Sequence, residues 1–425
     1  MVWLQTHSPW VYLTQSLWRD EAFAYLLATK DLGTIIKLSA LDFNPPLHYI
    51  LLHFWIGIFG TSEVALRLFS FVFYILWLLV MNRLLTLFFP KKWVMIFTLL
   101  VALNPMILYY AFEVRMYSMF AFFSTLSTFA LYRKKWFFFV AASVAGLYTH
   151  SYMPFTLFSH AVYMLFLFWR GKERETMRSY LASLCIIVLA YLPWIPIIIS
   201  QWARSKESWI YPVDLQLFLS VLGNLQTGYE GTPGGFWWLA QILSAFIFII
   251  IMLATTRRFR ESLLFFIWLF LPLTIVLSVS IVKPLFVNRY MIFSSVAEMV
   301  LVGLGIYALK REKVQSVVLV FFFLLFISIN MFRPATGGKL DIRSVYRKIA
   351  LKMPPDTLIL ANPLVFFEGL YYFPDPSRVF VYYPSNNNIP SYIGTSVIEP
   401  RMIVKEIPVG RPVVLLSQNG EISFP

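Results

Sequence analysis

Two adjacent carboxylates, Asp20 and Glu21, stand in the run Trp18-Arg19-Asp20-Glu21-Ala22, and Asp42 follows just ahead of Asn44-Pro45-Pro46. Glu113 and Arg115 come next, in Tyr110-Ala111-Phe112-Glu113-Val114-Arg115-Met116-Tyr117, then His150, Lys283 and the pair Arg289-Tyr290. An Asp-Glu pair alone is a weak signal, because most such pairs are solvated helix caps. Here the pair lies beside long apolar runs, where a carboxylate is costly unless it has a partner or a task. Separated carboxylates with one or two arginines suit group transfer from a phosphate. One carboxylate takes a proton from an acceptor hydroxyl or amine, and guanidiniums stabilise the charge growing on the phosphate leaving group. The bland alternative for Arg115 is snorkelling or an ion pair with Glu113.

These groups sit in a chain of 425 residues that is 59% hydrophobic and 13% charged, with a mean hydropathy of +0.71. Such values exclude an ordinary soluble domain and define a mainly α polytopic membrane protein. The net charge of +14 does not indicate nucleic acid, since the Lys and Arg residues are spread through short gaps between apolar runs. The single cysteine, Cys185, allows no disulfide within the chain.

Spans are expected at about 64–88, 93–112, 116–132, 136–152, 153–169, 180–201, 236–255, 261–282, 290–309 and 314–332, so about ten or eleven transmembrane helices with added juxtamembrane ones. Lys91-Lys92, Arg133-Lys134-Lys135, Arg170 to Arg178, Arg257-Arg258 and Lys310-Arg311 fall in alternate gaps. The positive-inside rule makes those gaps cytoplasmic and turns Asp20, Asp42, Glu113, His150 and Arg289 outward. Residues 1–62 are then a first outer loop of short surface helices. The run from Pro46 to Gly60 is too short to span, and Thr61-Ser62-Glu63 opens the next helix, with Glu63 and Arg67 spaced to pair on one face. The first seventeen residues are too polar for a span, so a further span is expected upstream of this sequence.

After Phe332 the polarity becomes ordinary. Helix is predicted at Asp341 to Met353 and Pro363 to Tyr372, and strands begin at Thr357, Arg378 and Pro412. The division is therefore a membrane domain over 1–335 and a small extracytoplasmic α/β domain over 336–425, with no glycine-rich phosphate loop. A metal has thin support: His48 and His53 stand five apart, off the usual chelating spacing, and His150 is alone.

The runs quoted above, together with Asp42-Phe43-Asn44-Pro45-Pro46-Leu47-His48-Tyr49, Phe59-Gly60-Thr61-Ser62-Glu63 with Arg67, and Asn288-Arg289-Tyr290, give the chain a resemblance. It resembles the glycosyltransferase-C superfamily, specifically bacterial family-39-like membrane enzymes related to protein O-mannosyltransferases and aminoarabinose transferases. The resemblance implies transfer of a sugar, with inversion, from a polyprenyl-phosphate donor to a lipid, glycan or protein acceptor on the outer face of the cell membrane. It implies Asp20 as the base with Glu21 beside it, Glu113 as the second acidic residue, and Arg289 on the donor phosphate. Arg115, Tyr290 and Lys283 are further phosphate candidates, and Asp42, Asn44, His48, Tyr117 and His150 are loop-organising or substrate residues. No cofactor is required, with a divalent metal as a secondary expectation. The readings weighed against it are a transporter of lipid-linked sugars or solutes, whose binding charges belong near mid-membrane, and an inactive scaffold of the same fold.

Overall fold

The computed structural model describes residues 7–171, 174–204, 209–230, 235–336, 339–385 and 388–425. Short helices come first: α1 (Arg19–Ala28), α2 (Leu32–Leu41) and α3 (Leu47–Phe59). Their limits follow local chemistry. Asp31 caps α2 by accepting from the Thr34 amide at 3.0 Å, Pro46 stands at the N-cap of α3, and Gly60 ends it at φ 80°, a left-handed conformation suited to glycine. Ser62 then caps α4 (Glu63–Leu85) by accepting from the Ala65 amide at 3.2 Å.

The bundle continues through α5 (Lys91–Ala102), α6 (Pro105–Ala111), α7 (Tyr117–Tyr132), α8 (Trp136–Leu147), α9 (Met153–Trp169), α10 (Arg174–Tyr191), α11 (Ile195–Arg204), α12 (Leu215–Thr227), α13 (Trp237–Arg257), α14 (Phe259–Ser280), α15 (Ile292–Tyr307) and α16 (Glu312–Thr336). Among the described residues, six segments are long and apolar enough to cross a membrane: 63–85, 175–204, 237–257, 259–280, 288–307 and 312–334. A seventh exists if α5 and α6, bent by 63°, count as one span. Every expected span holds a helix, but several are shorter than the apolar runs suggest. Asn104-Pro105 breaks the second, because Asn104 turns its side chain to cap α6 at the Ile107 amide. The run at 136–152 stops at Leu147. This is a multi-pass membrane protein.

Helix α15 is the centre of the bundle, with every residue from Ile292 to Ile306 buried. Peripheral α10 and α16 expose Ile186, Leu189, Val317 and Leu324, the surface expected against acyl chains rather than water. Glu298 is a buried acid on α15. It accepts from Gln226 Nε2 at 2.8 Å, and Gln226 Oε1 accepts from Asn104 Nδ2 at 3.0 Å, so one polar chain pins α15, α12 and the start of α6 together.

The C-terminal elements are α17 (Ile342–Lys352), β1 (Leu358–Ala361), α18 (Phe366–Tyr372), β2 (Val379–Tyr382), β3 (Ile403–Val404), β4 (Val413–Leu416) and β5 (Ile422–Ser423). The sheet order is β3-β2-β1-β4-β5, parallel except for β4 with β5. The central strand β1 pairs Ile359 with Val379 on one side and with Val414 on the other. The three expected strands and both helices are present, and the two edge strands, of two residues each, carry no periodic signal. The domain sits on the bundle through α18, which lies on α1 with Phe367 against Phe23 at 5.7 Å and Tyr371 against Tyr25 at 5.0 Å.

Gly305 of α15 is where α13 comes nearest, since a Cβ there would stand 2.3 Å from the Ile250 carbonyl oxygen. Gly305→Ala is therefore expected to destabilise the bundle by about 1–3 kcal/mol, read as a lowered midpoint of thermal unfolding in detergent.

Candidate active site

The acidic pair divides its labour because successive helix residues point about 100° apart. Glu21 turns inward and is completely enclosed. Arg67 Nε and Nη2 reach its two oxygens at 2.9 and 2.7 Å, and the amides of Val114 and Trp18 add bonds at 3.1 and 3.3 Å. Arg67 also donates to the carbonyls of Leu13, Gln15 and Ser16 at 3.2, 2.5 and 3.1 Å. Burial pushes the Glu21 carboxyl up, but Arg67 and Lys339 more than reverse this and hold it below the usual carboxylate range. Expected beside the reacting group, Glu21 is instead committed to the loop. The expected Glu63 with Arg67 clasp is also redrawn. Glu63, in the first turn of α4, faces the C-terminal domain and takes Arg343 at 2.5 Å and the Tyr372 hydroxyl, which leaves Arg67 for the buried charge.

Asp20 faces a cavity of about 350 Å³. Seven of the expected residues line it together: Asp20, Asp42, Asn44, Arg115, His150, Arg289 and Tyr290. Arg19 pairs with Asp20 Oδ1 at 3.1 Å, and Arg115 Nη1 donates to the Asp20 carbonyl at 3.4 Å. Burial would raise the Asp20 carboxyl, yet Arg115, Arg19 and Arg289 outweigh it and keep the group below its ordinary range. Asp42 goes the other way. Burial lifts it, and Arg115 and an Asn44 bond at 3.2 Å offset only part. Asp42 is placed by α11, where Gln201 Nε2 donates to its carbonyl at 2.7 Å and Arg204 takes the carbonyls of Leu41 and Ala40 at 2.9 Å each.

Arg289 lies over the Trp209 ring at 4.9 Å, with Glu230 only loosely paired at 3.9 Å. The Nε atoms of both Arg115 and Arg289 are buried without a hydrogen-bond partner, leaving capacity for an anionic ligand. His150 stacks on Phe120 at 4.5 Å, its Nδ1 accepting from the Tyr152 amide at 3.1 Å. Burial and Arg115 lower its pKa to about 3, so it is neutral.

The other expected residues lie outside the cavity wall. Tyr117 packs behind Tyr290 and His150. Lys283 donates to the Trp202 carbonyl at 3.2 Å and covers that ring. His48 is buried between Tyr49 and Phe69, with the Val114 backbone beside its ring. Glu113 is buried with Oε1 unpartnered and Oε2 3.8 Å from Lys339. Burial raises its carboxyl, Lys339 opposes this, and Glu21 adds to it. Arg19, Gln201, Trp209, Glu230 and Lys339 were not singled out by sequence reasoning. Arg19 adjoins the acidic pair and was within reach of it, while the others are brought in from distant segments. Among the described residues no group of three or more His, Cys, Asp or Glu is placed to hold a metal.

A second cavity of about 950 Å³ lies between α12, α13 and α16. Its walls are almost wholly apolar, with Leu243, Phe246, Phe321 and Leu325 among them, and Arg333 stands at one end.

Membrane-length helices packed around α15, short surface helices carrying the acidic pair, and a small α/β domain docked over them make up a mainly α polytopic membrane fold with a C-terminal α/β domain. That is the fold expected from the sequence. Two solved structures share it. ArnT from Cupriavidus metallidurans in the apo state superposes with a TM-score of 0.69 at 14% identity, over 96% of this chain and 90% of that one. The same protein bound to undecaprenyl phosphate gives 0.65 at 14%, over 98% and 91%. No protein-family model matches the chain, and no curated protein does.

Removing one partner of the enclosed Glu21 and Arg67 pair leaves a buried charge uncompensated. Arg67→Ala is therefore expected to cost about 3–5 kcal/mol, measured as loss of the folded form in a detergent melt, whereas Lys283→Ala should leave the melt within about 0.5 kcal/mol of the parent.

Proposed function

We propose that the protein is an integral membrane glycosyltransferase that moves a sugar from a polyprenyl-phosphate donor to an acceptor on the extracytoplasmic face, with inversion. The observation that carries this reading is the convergence of an ionised carboxylate, Asp20, with the guanidiniums of Arg115 and Arg289 on one cavity. Asp20 takes the proton of the acceptor hydroxyl. The freed oxygen attacks the anomeric carbon from the side opposite the phosphate, and the bond from that carbon to the phosphate oxygen breaks. Charge then builds on the departing lipid phosphate, where Arg115 and Arg289 stabilise it. Tyr290 and the His150 ring shape the wall behind the sugar, and the aromatic and apolar residues Phe43, Trp202 and Trp209 limit water.

The bound undecaprenyl phosphate in the second ArnT structure supports a polyprenyl-lipid ligand, and the apolar cavity beside Arg333 offers a lipid chain a slot within the bundle. The alternating basic gaps support an extracytoplasmic site, and the α/β domain covers the same end. A transporter fits less well, because the charges converge at the helix ends under that domain.

Asp20→Asn is expected to lower transfer by about a hundredfold or more while donor binding persists. Arg289→Ala should weaken donor affinity by about tenfold or more. Both are read from sugar release in membranes supplied with radiolabelled polyprenyl-phosphate sugars. Unimpaired turnover by the Asn variant would refute Asp20 as the base, and activity absent from the parent chain with every donor would favour an inactive scaffold.

A further inference from the structure

Lys339 belongs to the stretch that joins α16 to α17, yet its ammonium lies inside the acidic end of the bundle. It stands 3.1 Å from Glu21 Oε2 and 3.8 Å from Glu113 Oε2, with the Trp18 ring at 5.2 Å and the Tyr109 ring at 5.9 Å. Desolvating an ammonium and fixing its flexible stem both cost free energy, so this placement needs a compensating partner. Lys339 donates to Glu21 at 3.1 Å, but Glu21 shares that ammonium with Arg67 and two amides that already reach both of its oxygens. Glu113 has no such set. It is buried, one of its oxygens is unpartnered, and among the described residues Lys339 is the cation paired with it.

The charges around Glu113 come from several elements. Asp20 and Glu21 on α1 oppose its negative charge, and Lys339 and the more distant Arg289 favour it. Tyr109, Tyr110 and Tyr117 complete the surroundings. The cation that settles this balance is carried by neither the bundle helices nor the surface helices. It comes from the strand of chain leading into the domain that covers the site.

Building on the transferase reading, we propose that Lys339 is a positioning residue of the transfer site: its ammonium anchors the Glu113 carboxylate in the acidic cluster with Asp20 and Glu21, so the site is complete only with the C-terminal domain docked. The domain is thereby a working part of the site as well as its cover. In this scheme the ionised form of Glu113 supports transfer, and Lys339 touches neither donor nor acceptor.

The test compares the full chain with Lys339→Met and Lys339→Arg, measuring transfer in membranes across the acid and neutral range. Burial raises the Glu113 carboxyl and Lys339 counters that rise, so removing the ammonium keeps Glu113 protonated to higher pH. Lys339→Met is expected to lower the neutral-pH rate on the order of tenfold and to move the acid limb of the profile upward. Lys339→Arg should restore most of the rate and return the limb. A Met variant with the parental rate and limb overturns the proposal, and so does a loss of rate that leaves the limb in place, the mark of a structural brace. Placement is read separately from turnover. In a Cys185→Ser background, Lys339→Cys with Glu113→Cys should be bridged by a short bifunctional methanethiosulfonate. Failure to bridge in folded protein overturns the placement, whereas bridging in this variant together with a parent chain that transfers no sugar from any donor would refute the transferase reading and with it the role of Lys339, leaving only the contact.

Discussion

The enclosed pair of Glu21 and Arg67 is the constraint on which the functional end depends. Both side chains are removed from water, which is tolerable only because each is paired and its remaining bonding capacity is met. Arg67 meets its own by collecting three carbonyls from the stretch ahead of α1, and Glu21 by accepting the Val114 amide from the turn between α6 and α7. One ionic knot therefore sets α4, the chain before α1 and the turn carrying Glu113 and Arg115 in fixed relation. Asp20, one residue from the knot, is projected from a helix start that cannot shift without uncovering a charge.

The carboxylates of the site are separated by environment rather than by type. Asp20 is surrounded by guanidiniums and stays ionised, while Asp42 and Glu113 are buried with less cationic support and are shifted upward. Divergent environments for like groups mark sites with divided proton roles. The apolar and aromatic walls make each charge contact count for more than it would in water, because the effective dielectric is lower there. Helix α11, the stretch before α12 and the stretch before α15 contribute Gln201, Trp209 and Arg289 to the cavity, so the site is assembled from segments far apart in the chain.

The C-terminal domain is joined to this arrangement by three kinds of contact. Aromatic packing of α18 on α1 supplies area, Glu63 with Arg343 and Tyr372 supplies polar bonds at the start of α4, and Lys339 supplies charge within the acidic cluster. A domain held only by its surface would be expected to move as a unit. Here the covering domain and the acidic end of the bundle share side chains.

Composition and periodicity alone determined the class of this protein: a polytopic helical membrane domain followed by a small α/β domain, with helix starts at Pro46 and Ser62 readable from capping chemistry. Those features depend on hydrophobic area and on contacts within a few residues, which a linear sequence states directly. The grouping of Asp20, Asp42, Arg115 and Arg289 was legible as well, since each lies next to an apolar run on the same side of the membrane pattern. Only the tertiary structure decided that Glu21 is a buried clamp and Asp20 a cavity wall, that Arg67 chooses Glu21 over Glu63, and that Lys339 reaches Glu113. Ion pairs between residues far apart in sequence are selected by burial and reach in three dimensions, and neither quantity is written in the local spacing of the chain.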